Sequence, residues 1–509
     1  MSSPEDTPPS GPTPDPAPTK RSRRGLKIAL GAGAVVILAA GGAGAYAWQQ
    51  LSGGGTQPQD VLPASVSAFV RLDADPSASQ KIALLRLVQR FPDIADDIGV
   101  TSADDDIKRL LLEEAVPNCG LDYDEDLEPW LGDRIGFAVG PDATPLIAVQ
   151  VTDEDAARTT LPALAECLDL PDPGIVFSEG YAVLSADEKS AKAAVDEAAD
   201  KPLADSTAFQ KDMDELGDQG IASAWVDVPA LSADIPGLQE PSGAAVAGGN
   251  PFTGVESSAL TLRAGSAHLE LVGIGRSSED VTERPGAGLE RYSSENLLVG
   301  AYSGGGKDVR ERWDAILGEG DTYGYDPSGD IAGIEQATGL RVPEDIETLL
   351  GESIALVVGP RNLDTAITGG LSDPTALDIG LVMRSDPDAA ADLAQRLADL
   401  ALRYIGLPLT VVPTDDGAVL ATNDTIGAEL ADGKQDDATS FGDLVPDSDK
   451  AFGALVLNIG GTLDMLEKAG PPPEVQSVID DIRPLDKIGF SAVQDGRVTR
   501  GTLRVEFED

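Results

Sequence analysis

The sequence predicts an α+β protein that contains an internal duplication and one N-terminal transmembrane helix. Three observations support this prediction: an uncharged apolar run near the N-terminus, a 17-residue motif that occurs twice, and strand and helix patterns that follow each copy in the same order. The 509 residues leave room for two or three domains of ordinary size. Because 41% of them are hydrophobic, these domains can form cores.

Residues 1–24 are predicted to form a disordered cytoplasmic tail. Residues 1–19 contain seven prolines and neither Lys nor Arg, a composition that favours an extended, solvated chain. A basic cluster follows the proline-rich stretch. Its members are Lys20, Arg21, Arg23, Arg24 and Lys27.

Residues 25–48 are predicted to form the transmembrane helix. The run from Ile28 to Trp48 has 21 positions without a charge, and at ~1.5 Å per helical residue it spans the ~30 Å hydrocarbon core. Basic residues lie only on its N-terminal side, which keeps that side in the cytoplasm and places the rest of the chain outside. A cleaved export signal is the alternative, because Ala45-Tyr46-Ala47 fits a cleavage site; in both cases the remainder is exported.

The exported part contains the repeated motif. Residues 125–141 read EDLEPWLGDRIGFAVGP, residues 344–360 read EDIETLLGESIALVVGP, and nine of the 17 positions are identical. Each copy predicts a short helix, a glycine turn and an apolar strand. Further along, Thr152 and Ser385 are each followed by acidic residues, which predicts two matching helix N-termini capped by a hydroxyl group.

These matches predict two repeat units of about 215 residues each. A linker at 49–60 precedes the first unit at 61–275, and a polar linker at 276–289 precedes the second unit at 290–509. The order of elements within a unit favours a mostly antiparallel sheet with helices packed on it.

The strands of the repeated motif are expected in the interior of the sheet. Ile135–Val139 and Ile354–Val358 are apolar throughout. Since continuous apolar runs are typical of strands buried on both sides, we expect helices to cover both faces of these strands.

Several short segments resemble a known family. They are Leu62-Pro63-Ala64, Trp130-Leu131-Gly132 and Leu350-Gly351, together with the proline-rich tail and the Ala-rich helices. Over about residues 20–509 the chain resembles an actinobacterial family of single-pass membrane proteins with an acidic extracytoplasmic domain of unknown function. The resemblance implies a location in the cell envelope, and it implies no catalytic residue and no cofactor.

Composition excludes several classes of function. With 87 acidic and 37 basic residues the net charge is -50, which argues against nucleic acid as a partner. The single histidine, His268, excludes sites that need two imidazole groups. Two cysteines are too few for a four-cysteine zinc site or an iron–sulfur cluster.

Two glycine-containing segments resemble catalytic motifs and depart from them. Gly304-Gly305-Gly306-Lys307 is followed by Asp308, whereas a phosphate-binding loop needs Ser or Thr there and a Gly at position 301, which is Ala. We therefore expect a strand-to-helix turn. Gly351-Glu352-Ser353 begins like a nucleophile elbow but lacks its last glycine.

Acidic clusters and His268 are the remaining candidates for chemistry. Asp104–Asp106 and Asp122–Asp126 carry the densest carboxylates, and the second begins like a calcium loop but has Leu127 where that loop needs Gly. Helix capping is the favoured interpretation, with calcium binding as the alternative. His268 is expected to be a half-exposed strand residue, with a Ser-His-Asp triad as the alternative.

We therefore predict a membrane-anchored extracytoplasmic protein that is not an enzyme, a scaffold or binding module of the envelope. One alternative is a carrier that holds an apolar ligand between the two units; another is an envelope hydrolase that uses Ser or carboxylates. No metal or cofactor is predicted, and the partners are the membrane and a protein or ligand of unknown identity. A disulfide is predicted between Cys119 and Cys167, because both lie in the exported part.

Overall fold

The computed structural model describes residues 55–91, 121–167, 173–235, 254–281, 283–322, 327–363, 374–433, 441–442 and 444–508. The predicted tail, the predicted transmembrane helix and Cys119 lie outside these ranges. Within them, no helix combines the length and the apolar character that crossing a membrane requires.

Sixteen strands run through the described ranges, eight in each half of the chain. The first eight are β1 (Ala68–Asp73), β2 (Leu131–Gly140), β3 (Thr144–Val151), β4 (Gly174–Ser178), β5 (Tyr181–Ser185), β6 (Ala222–Asp227), β7 (Val255–Ala264) and β8 (His268–Ser277). The second eight are β9 (Leu298–Ser303), β10 (Ser353–Val358), β11 (Ile379–Arg384), β12 (Thr410–Thr414), β13 (Gly417–Ala421), β14 (Gly453–Asn458), β15 (Leu485–Asp495) and β16 (Val498–Phe507).

These strands form one sheet in which every strand is antiparallel to its neighbours. Read inward from the two edges, the order is β4-β5-β3-β2-β1-β6-β7-β8 and β12-β13-β11-β10-β9-β14-β15-β16. Each strand of the second half thus occupies the position that its counterpart has in the first half. The predicted α+β class with an antiparallel sheet is confirmed.

Helices connect the strands and pack on the sheet. In the first half they are α1 (Pro58–Val61), α2 (Ala78–Gln89), α3 (Glu154–Cys167), α4 (Glu188–Asp200), α5 (Thr207–Leu216) and α6 (Val228–Asp234). In the second half they are α7 (Gly305–Thr322), α8 (Pro327–Thr338), α9 (Glu344–Leu350), α10 (Pro387–Ile405), α11 (Asp424–Ala431), α12 (Ile459–Lys468) and α13 (Pro473–Ile482).

The predicted helix starts at 152–155 and 385–388 are present, but their caps differ from the prediction. Asp153 accepts hydrogen bonds from the Asp155 and Ala156 amides at 3.0 and 3.1 Å. Asp386 accepts one from the Ala389 amide at 3.0 Å. A carboxylate therefore caps α3 and α10, where the hydroxyl groups of Thr152 and Ser385 were expected. A carboxylate satisfies the free amides and also interacts favourably with the positive end of the helix dipole.

The main cores lie on one side of the sheet, which we call the covered face. In the first half, Phe69 of β1 and Trp225 of β6 pack there against Phe209 of α5, with ring centroids 5.8 and 5.7 Å from Phe209. In the second half, Val299 and Val456 belong to the same buried cluster as Ile426 and Leu430 of α11. All seven of these side chains are buried.

The two halves meet where β8 lies beside β16. His268 is opposite Glu506, and the Ser277 amide donates to the Arg497 carbonyl oxygen at 2.7 Å. This register places Glu270 opposite Arg504, and Arg504 Nε donates to Glu270 Oε2 at 2.7 Å. The junction between the halves is therefore stabilised by an ion pair as well as by backbone contacts.

Candidate functional site

The candidate functional site is the other side of the sheet, which we call the open face. Successive side chains of a strand point to opposite sides of the sheet. Phe69 lies on the covered face, so Leu72, three residues later, lies on the open face. Its partner across the ladder, Ile135, lies on the open face as well. The side chains of Leu72, Phe137, Leu356 and Leu455 on this face are 39, 40, 39 and 37% exposed. Water therefore reaches apolar side chains in the interior of the sheet.

Following the register from strand to strand gives a continuous row of residues on the open face, which we call the apolar row. It takes one residue from each of eleven neighbouring strands, and none of the eleven is polar or buried. The members in spatial order are Ile135, Leu72, Ala222, Leu262, Leu271, Leu503, Phe490, Leu455, Gly300, Leu356 and Leu381. With strands about 4.8 Å apart, the row extends for about 48 Å across both halves.

The exposure on this face differs from the prediction for the strands of the repeated motif. β2 and β10 are interior strands in equivalent positions, as expected. We expected helices on both of their faces, and this was wrong, because Phe137 and Leu356 remain well exposed. A soluble protein rarely leaves a contiguous apolar patch of more than a few hundred Å² open to water unless the patch binds something.

Among the described helices, α3 and α10 pack on the open face near the two ends of the apolar row. Leu161 of α3 packs on Val149, which lies opposite Ile135 in the ladder. Leu393 of α10 packs on Met383, two residues from Leu381. The row is thus an open trough between α3 on one side and α10 on the other.

A polar groove lies at the end of the sheet where β15 turns into β16. Its volume is about 510 Å³, and its lining is mostly charged. The lining residues are Glu283, Arg284, Gly286, Asp447, Asp449, Lys450, Val493, Gln494 and Asp495. Gln494 points to the same side of β15 as Phe490, four residues earlier, and its buried Nε2 has no hydrogen-bond partner among the described residues. A side chain with a buried donor that lacks a partner therefore lines the groove beside the open face.

Arg284 forms one wall of this groove. Its guanidinium group stacks over the rings of Tyr302 and Phe452, 5.5 and 5.0 Å from their centroids. It also pairs with the Asp308 carboxylate in the first turn of α7. Stacking and pairing hold Arg284 in place, so its side chain acts as a fixed wall.

The most buried carboxylates are held by arginine side chains. Asp73 contacts Arg71 and Arg134. Asp212 accepts from Arg276 Nε and Trp225 Nε1, each at 2.9 Å. These groups lie on the covered face, where each joins strands or links a strand to a helix. Their arrangement fits a role in stability, since breaking a buried pair is strongly destabilising.

Two further carboxylates are fixed in the same way in the second half. Arg396 Nη2 donates to Asp345 Oδ1 at 2.8 Å, and this hydrogen bond lowers the pKa of Asp345 from 3.8 to about 2. Asp378 pairs with Arg361 and accepts from Asn423 Nδ2 at 3.0 Å. Asp345, which the hydrogen bond from Arg396 keeps ionised, cannot serve as a proton donor near neutral pH.

The glycine-rich segment at 304–307 forms the predicted turn between β9 and α7. The Gly304 amide donates to the Glu352 carbonyl oxygen at 2.9 Å, and the Gly306 amide donates to that of Gly351 at 3.1 Å. Lys307 lies 3.7 Å from Glu311 in the next helical turn. These amides are engaged within the protein, which is inconsistent with a phosphate cradle.

The acidic residues at 122–126 cap a helical turn, as the favoured interpretation predicts. Asp122 Oδ1 accepts from the Glu125 amide at 3.0 Å, and Asp126 Oδ2 accepts from the Asp122 amide at 2.8 Å. No cluster of His, Cys, Asp and Glu that could hold a metal ion occurs in the described part of the chain. The cluster at 104–106 lies outside that part.

The other predicted residues are placed as follows. His268 begins β8 opposite Glu506, and it is half-exposed as expected. Ser353 begins β10, lies between Ser303 and Arg384 in the ladder and is 7% exposed. The predicted disulfide falls outside the described residues, because Cys119 and the side chain of Cys167 are not among them.

Comparison with known proteins adds a family match over part of the chain. Residues 30–169 match the family model described as "Protein of unknown function (DUF3352)". No curated protein matches the chain. The chain is similar to two solved structures, "Structure of crystal form III of TP0453" and "Structure of crystal form I of TP0453", with 9 and 8% identity and TM-scores of 0.22. These matches cover 45 and 44% of this chain and 82 and 81% of the other chains.

Proposed function

We propose that this protein is a non-catalytic binding module that holds the apolar chain of a lipid-like ligand along the apolar row. The observation that carries this proposal is the row itself: eleven consecutive strands place apolar residues on one accessible line. Burial of apolar surface contributes roughly 25 cal/mol per Å², so a chain that covers about 200 Å² of the row gains about 5 kcal/mol before entropy costs.

The polar groove beside Gln494 supports a ligand that also has a polar end. Turned into the groove, the Nε2 group of Gln494 would donate a hydrogen bond to a carbonyl, carboxylate or hydroxyl oxygen of the ligand. The groove has four carboxylates and two cations in its lining. A fatty acid, an amine or an alcohol, each with at most one negative charge, would therefore fit there better than a ligand with a multiply charged group such as a phosphate.

We further propose that the protein is a single-pass envelope protein with a cytoplasmic N-terminus and an extracytoplasmic sheet. Support comes from the basic residues on one side only of the apolar run at 28–48, and from the resemblance to actinobacterial membrane proteins. A reporter that is active only after export, fused behind Asp509, should be active. Activity of a cytoplasm-dependent reporter at that site would contradict this topology.

The two halves are proposed to derive from duplication of one unit. The nine identities in the repeated 17-residue motif support this origin, as does the equal strand order from the two edges of the sheet. On this proposal the trough is a composite of two half-troughs that meet at the β8–β16 junction. An apolar ligand would then contact both halves.

Binding of a fluorescent fatty acid to residues 50–509 tests the proposed function. The variant Leu72→Gln/Leu455→Gln places two polar groups in the apolar row at exposed positions, so folding should be little affected. A loss of about 1.4 kcal/mol at each site would weaken binding about 100-fold. The matched control, Ile405→Gln/Val478→Gln, changes two exposed residues away from the row and should bind as the original chain does.

Two results would count against the proposal. Equal affinities for the row variant and the control would place the ligand elsewhere, and the absence of saturable binding to the original chain would refute the function itself. A broad hydrolase screen on the same protein separates the binding module from an envelope hydrolase. Turnover that is lost on replacing Ser or carboxylate residues would favour the enzyme.

A further inference from the structure

The exposed apolar side chains outside the open face are concentrated at one end of the sheet. We call this the near end and define it as the end where β1 finishes at Asp73 and where Gly55 begins the described chain beside Arg134. Twelve large hydrophobic side chains are exposed in the described ranges. Four lie on the open face, and seven lie on helices at the near end. These seven are Ile82, Ile334, Leu402, Tyr404, Ile405, Val475 and Val478.

The antiparallel register places these helices at the same end. Followed from strand to strand, the end of β1 lies at the same edge as the start of β15 at Leu485 and the start of β12 at Thr410. α13 ends just before β15, and α10 ends just before β12. α2 follows β1 directly. Helices that are distant in sequence thus present apolar residues at the same end of the sheet, spread along it from β12 to β1.

The last turn of α10 is the most exposed part of this end. The side chains of Leu402, Tyr404 and Ile405 are 56, 62 and 72% exposed. The Tyr404 hydroxyl donates to the Ala337 carbonyl oxygen at 3.1 Å, which holds the end of α8 next to α10. Leucine and isoleucine around a tyrosine are typical of segments that enter the interface of a bilayer.

The apolar row continues to the near end without a polar interruption over seven strands. Two residues further along each of these strands toward the near end, the open face carries a second line of apolar residues, none of which is buried. Its members are Leu269, Val505, Ile488, Leu457, Leu298, Val358 and Ile379. An apolar surface therefore connects the trough with the exposed helix ends.

The short link to the predicted transmembrane helix also favours the near end as the part of the sheet that faces the membrane. The predicted transmembrane helix ends at Trp48, and six residues separate it from Gly55. At no more than ~3.6 Å per residue, they reach at most about 22 Å. Gly55 lies beside Arg134, so anchoring by residues 28–48 would keep the near end of β1 and β2 close to the membrane.

We propose that the near end is a membrane-docking surface whose exposed helix ends insert into the interface of the lipid bilayer. The occupant is the bilayer of the membrane that anchors the chain. Insertion rests on apolar contacts, because a chain of net charge -50 is repelled by anionic headgroups. The docking surface does not depend on which ligand occupies the apolar row.

Tryptophan fluorescence of the full chain in phosphatidylcholine liposomes tests this surface. Ile405→Trp introduces an indole at a site exposed enough to leave folding intact, and its emission is obtained by subtracting that of the original chain with its four tryptophans. Val281→Trp is the matched control. Val281 is 38% exposed and follows β8 at the opposite end of the sheet.

Lipids with brominated acyl chains should lower the added emission of Ile405→Trp by about two-fold or more, because an inserted side chain lies at the boundary of the acyl region. The added emission of Val281→Trp should be unchanged. Equal emission of Ile405→Trp with and without bromine would overturn the docking surface. Fatty acid binding by residues 50–509 is measured without a bilayer, so failure of docking and failure of the proposed function can be told apart.

Discussion

Replacement of Asp212 by Ala should destabilise the protein strongly. The carboxylate of Asp212 lies on α5 and is 1% exposed. It joins two strands of the covered face to this helix, because it accepts from Trp225 Nε1 in β6 and from Arg276 Nε in β8, each at 2.9 Å. The change leaves a buried guanidinium group and a buried indole N–H without this acceptor.

The expected cost follows from these contacts. Removal of one partner from a buried ion pair typically costs about 3–5 kcal/mol, because the remaining charge stays desolvated. Glu215 lies 3.7 Å from Arg276 Nη2 and offsets part of this charge. We therefore expect the lower end of the range, a loss of about 3 kcal/mol in the free energy of unfolding.

Urea denaturation of a double-mutant cycle measures this effect. The double variant Asp212→Ala/Arg276→Met removes both charges and fills part of the space, so it should be more stable than Asp212→Ala alone by about 1–2 kcal/mol. A loss below about 1 kcal/mol for Asp212→Ala would refute the structural role assigned to this carboxylate. So would a double variant that is less stable than the single one.

Three further predictions concern the junction, the pH dependence and one turn. Glu270→Ala removes the acceptor of Arg504 at the β8–β16 junction, so hydrogen exchange in these two strands should become faster, and unchanged exchange would contradict the role of the pair. The lowered pKa of Asp345 stabilises the fold above pH ~4, and about 2 kcal/mol should be lost as the pH falls from ~4 to ~2; acid titration of Asp345→Asn should lack this loss. Gly351 has φ of +46° and a Cβ there would lie 2.0 Å from a carbonyl oxygen, so Gly351→Ala should lower the melting temperature, whereas Gly329→Ala, in an open helical position, should not.

The fold class and the order of strands and helices along the chain could be predicted from sequence, because both depend on local patterns. The repeated motif around Gly132 and Gly351 marked two interior strands, and the structure places β2 and β10 in equivalent positions. Acidic residues before apolar helices marked the starts of α3 and α10. Only the capping group was wrong, since Asp153 and Asp386 lie one residue closer to the helices than the hydroxyl groups.

The open face could not be predicted, because an apolar strand sequence does not record what covers it. Phe137 and Leu356 lie in runs that are apolar throughout, which is the pattern of strands buried on both faces. Whether a helix lies over them depends on where α3 and α10 pack, and these helices cover strands nearer the sheet edges. The apolar row also depends on the pairing of β8 with β16, a contact between distant segments that no local pattern contains.

The buried ion pairs were also absent from the prediction. Asp73, Asp212 and Asp378 are scattered singly in a chain with 87 acidic residues, and nothing in their neighbourhood distinguishes them. Their partners come from other strands and helices, as Arg134 does for Asp73. The usable signal was a single acidic or basic residue within an apolar strand, such as Arg71 in β1, because a charge in such a position needs a partner.

Photo-crosslinking with a diazirine-bearing fatty acid tests most directly whether the apolar row holds an apolar chain. The acid is bound to residues 50–509 and irradiated, and the labelled peptides are identified by mass spectrometry. We expect label on open-face residues of β14, β15 and β16, such as Leu455, Phe490 and Leu503, and its disappearance with excess unlabelled fatty acid. Label confined to other surfaces, or label that excess fatty acid does not displace, would contradict the proposed binding site.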